Sequence, residues 1–334
     1  MKPIEDIKPL LESPKKVVIT MHQKPDADAM GSSLAMFHYL RRKGHDVTVI
    51  SPTNFPDFLK WMPGCDQVVD FESQNDKAMK ALEGTEILFC LDFNAMSRTR
   101  NMEPHLERLH SVKVLIDHHL EPQPVFDFGV SDTSAASTAQ LVYEMIYRLG
   151  DEHYIDNDIA QCIYAGTMTD TGSFRFASTS ARVHRMVADL LERGLEHEYI
   201  HQAIYDNFLE NRLRFIGHSL LNRMEVFYET NTAIMAIPYS DLKRFDLQTG
   251  DTEGLVNFLL SIQGIKLAAL IIDRNSEVKL SFRSKGNFDV NTFARKYFEG
   301  GGHFNASGGR SSDSLDRTVQ RFIRAMHENE DLLQ

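Results

Sequence analysis

The sequence predicts an α/β protein: an N-terminal, mostly parallel sheet with helices on both faces, then a smaller C-terminal α+β domain. Three observations carry this reading. Up to about residue 117, short β-branched apolar runs alternate with stretches of helical period, the pattern of a parallel sheet buried on both sides. From Ser134 to Gly194 the period is helical throughout. Beyond about residue 223 the texture changes to hairpins mixed with helices.

KKVVIT at 15–20 reads as a buried strand. The polar turn HQKPDADAMGSS follows, with a helical pattern from about Ala29 to Lys43. HDVTVIS at 45–51 is a second strand and VVDF at 68–71 a weaker third. EILFCLDF at 86–93 and VKVLID at 112–117 are strong buried strands, with helical stretches around 74–83 and 101–110. SAASTAQLVYEMIYRLG, DNDIAQCIYAGTMTD and STSARVHRMVADLLERG each carry an apolar helical stripe, with Gly150 and Gly194 as stops. The charge-rich helical stretch 195–222 is expected to link a first domain, 1–194, to a second, 223–334, or else to pack as a solvated helix on one of them. EVFYETNTAIMAIPY at 225–239 reads as a hairpin around its polar centre, and LAALIIDRNSEVKLSFRSK at 267–285 as another around Asp273–Ser276. Helices are expected in TEGLVNFLLSI, from about Asp289 to Phe298, and at about 314–329. No internal repeat or low-complexity tract is visible.

Bulk properties narrow the function. The 334 residues suit two domains. The net charge of −11 argues against tracking long nucleic acid, which calls for a basic excess, so a nucleic-acid substrate should be short. The same acidity disfavours an anionic membrane surface. Cys65, Cys90 and Cys162 are sparse and form no CxxC pair, which reads as reduced and intracellular. The N-terminus lacks an apolar signal region, and no run reaches the ~20 apolar residues of a membrane helix. The expected location is the cytoplasm.

Four features carry chemistry. His22-x-x-x-Asp26-x-Asp28 follows a buried strand, where ligands gather in open α/β sheets. Carboxylate oxygens with imidazole suit Mn²⁺, Fe²⁺ or Zn²⁺. The competing reading is a turn with a helix cap. Asp92 ends the run ILFCLDF and could equally be a cap; Arg98, six residues on, is a phosphate contact or a surface charge. Asp117-His118-His119 ends another strand, where neighbouring side chains point opposite ways, so one histidine can meet metal and the next substrate. Asp170 lies in or just after an otherwise apolar helix and needs a cation or the hydroxyls of Thr167, Thr169 and Thr171. Three of the four should lie side by side at strand ends. The ligand count suits two metals: His22, Asp26 and Asp92 for one, and Asp28, Asp92, His118 and Asp170 for the other, with Asp92 shared. Two metals about 3.5–4 Å apart clamp an in-line phosphoryl displacement.

The order HxxPDxD, strand-end Asp, DHH and Thr-rich Asp resembles the DHH phosphoesterases, and Gly300-Gly-Gly-His303-Phe-Asn305-Ala-Ser-Gly-Gly309 resembles the glycine-rich motif of the associated DHHA1 domain. The resemblance runs from about residue 15 to about 325. Length and layout are most similar to the branch that hydrolyses nanoRNA, dinucleotides included, to mononucleotides and 3′-phosphoadenosine 5′-phosphate (pAp) to AMP. It implies two Mn²⁺ ions, with Mg²⁺ or Co²⁺ as substitutes, held by His22, Asp26, Asp28, Asp92, His118 and Asp170. It further implies His119 facing the scissile phosphate, Asp117 orienting a histidine, and Asp92 acting with them in catalysis. Arg283 in SFRSKG and His303 match positions that grip phosphate or nucleotide, with Gly301, Gly302 and Asn305 around them. Phe93 replaces the small residue expected after Asp92, which weakens the case for Arg98. A homodimer is compatible with the resemblance. The rival expectations are a cyclic- or linear-dinucleotide phosphodiesterase, and a nucleotide-binding regulatory module without catalysis.

Overall fold

The computed structural model describes residues 1–206, 209–248 and 250–334. The chain forms two compact units, Met1–Asn207 and Phe208–Gln334.

Among the described residues, the first unit is built on seven strands: β1 (Lys2–Pro3), β2 (Lys16–Thr20), β3 (Asp46–Ser51), β4 (Val69–Asp70), β5 (Ile87–Leu91), β6 (Val112–Asp117) and β7 (Phe128–Ser131). They lie in the order β1-β7-β6-β5-β2-β3-β4, and every pairing is parallel. Parallel strands need crossovers, supplied here by α1 (Ala27–Arg42), α2 (Asn75–Leu82) and α3 (Glu103–Glu107). Four more helices follow: α4 (Thr138–Arg148), α5 (Asn157–Asp170), α6 (Ala181–Glu192) and α7 (His197–Tyr205). Alternation along the strands divides the core. Val17, Ile19, Phe89, Leu91, Val114 and Ile116 face α1, α4 and α5, while Val18, Leu88, Cys90 and Leu115 join Ala78, Leu82 and Leu106 on the other face. The expected sheet, covered on both faces, is thus observed. Two of its strands, β1 and β7, have too little pattern to be read from sequence.

α1 and α5 cross closely because small residues meet there. A Cβ on Gly31 would lie 2.4 Å from the Cys162 carbonyl oxygen, and one on Gly166 would lie 2.8 Å from Asp28 Oδ1 and 2.8 Å from Ala139 Cβ. Gly166→Ala is therefore expected to destabilise the protein by roughly 1–3 kcal/mol through overpacking, and to displace Asp28. Thermal melting together with Mn²⁺ titration checks this; unchanged values in both would mean the crossing yields freely.

The second unit holds α8 (Glu210–Asn222), β8 (Met224–Phe227), β9 (Thr232–Ile237), α9 (Tyr239–Arg244), α10 (Leu255–Leu260), β10 (Leu267–Asp273), β11 (Val278–Ser284), α11 (Val290–Tyr297), β12 (Gly301–His303), β13 (Ala306–Ser311), α12 (Leu315–His327) and α13 (Glu330–Leu333). The six strands among the described residues order as β12-β13-β11-β10-β9-β8, antiparallel except for β9 beside β10. Both expected hairpins form. Among the described residues, the 195–222 stretch holds two helices, α7 with the first unit and α8 with the second. The glycine-rich motif forms a hairpin, β12–β13. A Cβ on Gly300 would sit 2.1 Å from the Gly308 carbonyl oxygen, so a side chain there would push the two strands apart. No helix among the described residues is long and apolar enough to cross a membrane.

Candidate metal centre

The central strands β6, β5 and β2 are neighbours, and their carboxyl ends deliver His118, Asp92 and His22 to one place. The loops there are tied together: Gln23 N–H donates to the Arg98 carbonyl at 2.9 Å, and Lys24 N–H to Thr53 Oγ1 at 2.7 Å. Asp92 leaves β5 with φ of +62°, a left-handed conformation that Asp tolerates better than most residues. Its N–H donates to the Ile116 carbonyl at 3.1 Å, and Phe93 beyond it is buried among the core residues under the sheet.

Asp26 caps a helix, as one sequence reading expected, and also faces the cluster. Its Oδ1 caps α1, accepting from Asp28 N and Ala29 N at 3.0 and 3.1 Å, while Oδ2 lies 3.7 Å from His22 Nε2. Asp92 is not a helix cap. Its Oδ2 is 3.3 Å from His22 Nε2, its Oδ1 3.5 Å from His118 Nε2. His118 Nε2 also lies 3.4 Å from Asp170 Oδ2 and 3.8 Å from Asp28 Oδ2. Two of the groups that result are His22–Asp26–Asp92 and Asp28–Asp92–His118, each with donor atoms within 4.8 Å of one another; Asp92, Asp117 and His119 form another. Asp170, the last residue of α5, closes on the second. Thr167, Thr169 and Thr171 do not serve it: Thr169 bonds the Ala165 and Gly166 carbonyls, Thr171 the Thr167 carbonyl, and Thr167 meets Ser137 Oγ.

The histidines are oriented as ligands are. His22 Nδ1 donates to the Gln23 carbonyl at 2.8 Å, and His118 Nδ1 approaches the Ala135 carbonyl at 3.4 Å, so both present Nε2 to the carboxylates. His119 Nδ1 donates to Asp117 Oδ1 at 2.7 Å and lies 3.7 Å from Asp92 Oδ1. Asp117 is fully buried, and its Oδ2 has no hydrogen-bond partner among the described residues.

The electrostatics describe an anionic cage short of positive charge. Burial, then repulsion from Asp92 and Asp170, pushes Asp28 well above the carboxylate range. Burial and Asp26 raise Asp170 to about 8. Burial opposes charge on Asp92 as well, but hydrogen bonds from His118 and His22 hold it well below its ordinary value; burial opposes charge on Asp26 too, and His22 lowers it. His22 and His118 are raised well above 6.5, their carboxylate partners outweighing burial. Without a cation, then, protons stay on groups that would otherwise be carboxylates and neutral imidazoles. The donor set, O from Asp and N from His, fits a hard or borderline divalent ion.

The structure also shows partners that sequence reasoning missed. Asp28 is fixed by the start of α4, with Thr138 N donating to Oδ2 at 2.7 Å and Ala139 N to Oδ1 at 2.9 Å. Thr138 Oγ1 donates to Asp92 Oδ1 at 2.9 Å. In SAAST these residues look like ordinary capping residues, which hides them.

Of the expected substrate residues, Arg98 sits half-buried on the short 3₁₀ segment Met96–Met102 after Asp92. The others cluster in the second unit. Arg283 on β11 and His303 on β12 are both cross-strand neighbours of Ala306, so they share one face of the sheet. Gly301 and Gly302 belong to β12, and the Gly302 carbonyl accepts from Asn291 Nδ2. Asn305 uses Nδ2 to hold the turn, donating to Ser284 Oγ at 2.9 Å and the Gly286 carbonyl at 3.1 Å.

Comparison with known proteins agrees with this layout. The model of the DHH family, N-terminal domain, matches residues 16–167, and that of the DHHA1 domain matches 230–329. The crystal structure of an exopolyphosphatase-related protein from Bacteroides fragilis matches with a TM-score of 0.95 at 36% identity, over 99% of this chain and 97% of that one. The bifunctional oligoribonuclease and PAP phosphatase NrnA of Bacillus subtilis is 27% identical over 318 residues, 94% of this chain and 96% of its own. NrnA of Thermus thermophilus is 27% identical over 334 residues, 98% of this chain and 94% of its own. The strand-end acids and histidines thus sit in a DHH domain and the glycine hairpin in a DHHA1 domain: the chain belongs to the DHH family of phosphoesterases.

Proposed function

We propose that this chain is a two-metal phosphoesterase that hydrolyses very short oligoribonucleotides to mononucleotides and pAp to AMP, with Mn²⁺ as its preferred ion. The observation that carries the reading is Asp92, whose two carboxylate oxygens face two different His/Asp groups. His22, Asp26 and Asp92 would hold one cation; Asp28, Asp92, His118 and Asp170 would hold the other. Such ions supply Lewis acidity, a more acidic water and alignment of attacking and leaving oxygens. Asp117 fixes the His119 ring through Nδ1, so a substrate oxygen would be met at Nε2. Arg283 and His303, on one face of their sheet, would grip a phosphate or nucleotide, the guanidinium offering a fork to phosphate oxygens. The NrnA relatives match this chain over nearly its whole length, which supports the choice of substrates.

A substrate panel tests it. With Mn²⁺, the dinucleotide pApA and pAp should turn over fastest, a five-nucleotide RNA more slowly and cyclic di-AMP slowest; Mg²⁺ and Co²⁺ should give lower rates. Preference for cyclic di-AMP would make the chain a cyclic-dinucleotide phosphodiesterase instead. No turnover and no bound metal would make it a nucleotide-binding module.

A further inference from the structure

We infer that Thr138 is the positioning residue of the shared carboxylate: its hydroxyl decides which oxygen of Asp92 faces which cation, and so couples the two metal sites. The inference rests on the two-cation reading above. The carboxylate torsion of an aspartate is soft, so Asp92 needs an outside restraint to present one oxygen to each side. The left-handed backbone fixes where the side chain starts, but not how the carboxylate turns. Thr138 supplies the restraint. It is fully buried, and Oγ1 donates to Asp92 Oδ1 at 2.9 Å, the oxygen turned to His118. The other oxygen is left to His22.

The same residue holds the second group from behind, since Thr138 N donates to Asp28 Oδ2 at 2.7 Å. One residue thus touches two of the carboxylates expected around the second cation. Its hydroxyl differs in this from those of Thr169 and Thr171 beside Asp170. Thr169 and Thr171 give theirs to carbonyls of their own helix, whereas Thr138 sends its proton across to another element. Its own position is secured by Ser137, which caps α4 by accepting from Gln140 N at 3.0 Å.

The test is Mn²⁺ titration of metal-free protein, with the free ion followed by its EPR signal and the fold followed by melting. Thr138→Val keeps the shape and removes the hydroxyl; Thr138→Ser keeps the hydroxyl. Wild type should take up two ions. T138V should bind the second about 10–100-fold more weakly, the usual effect of losing a partner behind a metal ligand, with the metal-free protein melting as wild type does. T138S should match wild type at both ions. Wild-type affinities in T138V, or equal losses in T138V and T138S, would overturn the role of Thr138 alone. Wild type binding fewer than two ions would overturn the two-cation reading and this inference with it. If T138V melts early, T138S still decides: weakened ion binding there, in a protein of normal stability, would show that the hydroxyl is not the determinant.

Discussion

Asp92→Asn should lower turnover of pApA by about three orders of magnitude, the upper range for deleting one charge-stabilising group at an active site, and reduce bound Mn²⁺ from two ions to at most one. The substitution is chosen because it separates charge from shape. Asn tolerates the left-handed backbone that Asp92 adopts at φ +62°, and it caps or turns as well as Asp. If Asp92 were only a turn-forming residue, D92N would be silent. The amide keeps an oxygen to accept from Thr138 Oγ1, and the backbone N–H still reaches the Ile116 carbonyl, so the loop should hold. What disappears is the negative charge between His22 and His118, and with it one acceptor for a second cation. Both histidines would then lose a partner that raises them, and their values should fall. Steady-state kinetics, metal content and melting together make the check. Activity above a tenth of wild type with two ions bound would end the case for Asp92 as the shared ligand.

The site was legible because three acidic or histidine clusters interrupt apolar strands at their ends, and a charge there has few reasons to exist. Asp170 was visible for the same reason on a helix. The sequence could not show that its neighbouring threonines spend their hydroxyls on helix carbonyls, which is what leaves Asp170 to a cation or a proton. Nor could it show Thr138, since a Ser-Thr pair before a helical stripe already has a local explanation as a cap. In the fold, the missing strands are those without a pattern: Lys2–Pro3 has two residues, and Phe128–Ser131 contains a glycine. The motif GGHFNASGG lacks the β-branched residues that announce strands. It is extended because β11, read correctly from VKLSFRS, offers β13 a register from Val278–Ser311 to Arg283–Ala306. Tertiary pairing, not local preference, makes that hairpin.

Metal-free protein should lose stability as the pH rises from 6 to 8, and added Mn²⁺ should restore more of it at pH 8 than at pH 6. Four groups set the sign. Asp170, raised to about 8, carries a proton in the folded state that the unfolded chain has already released, and Asp28 is shifted in the same direction. His22 and His118 are raised above 6.5 and behave alike in the upper part of this window. For each, the stabilising proton is present at low pH and is lost as pH climbs through the folded-state value. Asp26 and Asp92 are shifted the other way, so their contribution changes only below the ordinary carboxylate range and does not enter here. A divalent ion needs the carboxylates and imidazoles without protons, so binding releases them. Each proton displaced makes the apparent affinity about tenfold weaker per unit of falling pH, equivalent to about 1.4 kcal/mol. At fixed Mn²⁺ that difference appears as stability, on the order of 3 °C of melting temperature per displaced proton per pH unit for a domain of this size. The counterpart is direct: Mn²⁺ added in weak buffer at pH 7 should acidify the solution. A Mn²⁺ increment equal at pH 6 and pH 8, with no proton release, would mean that the cage does not bind the ion through these groups.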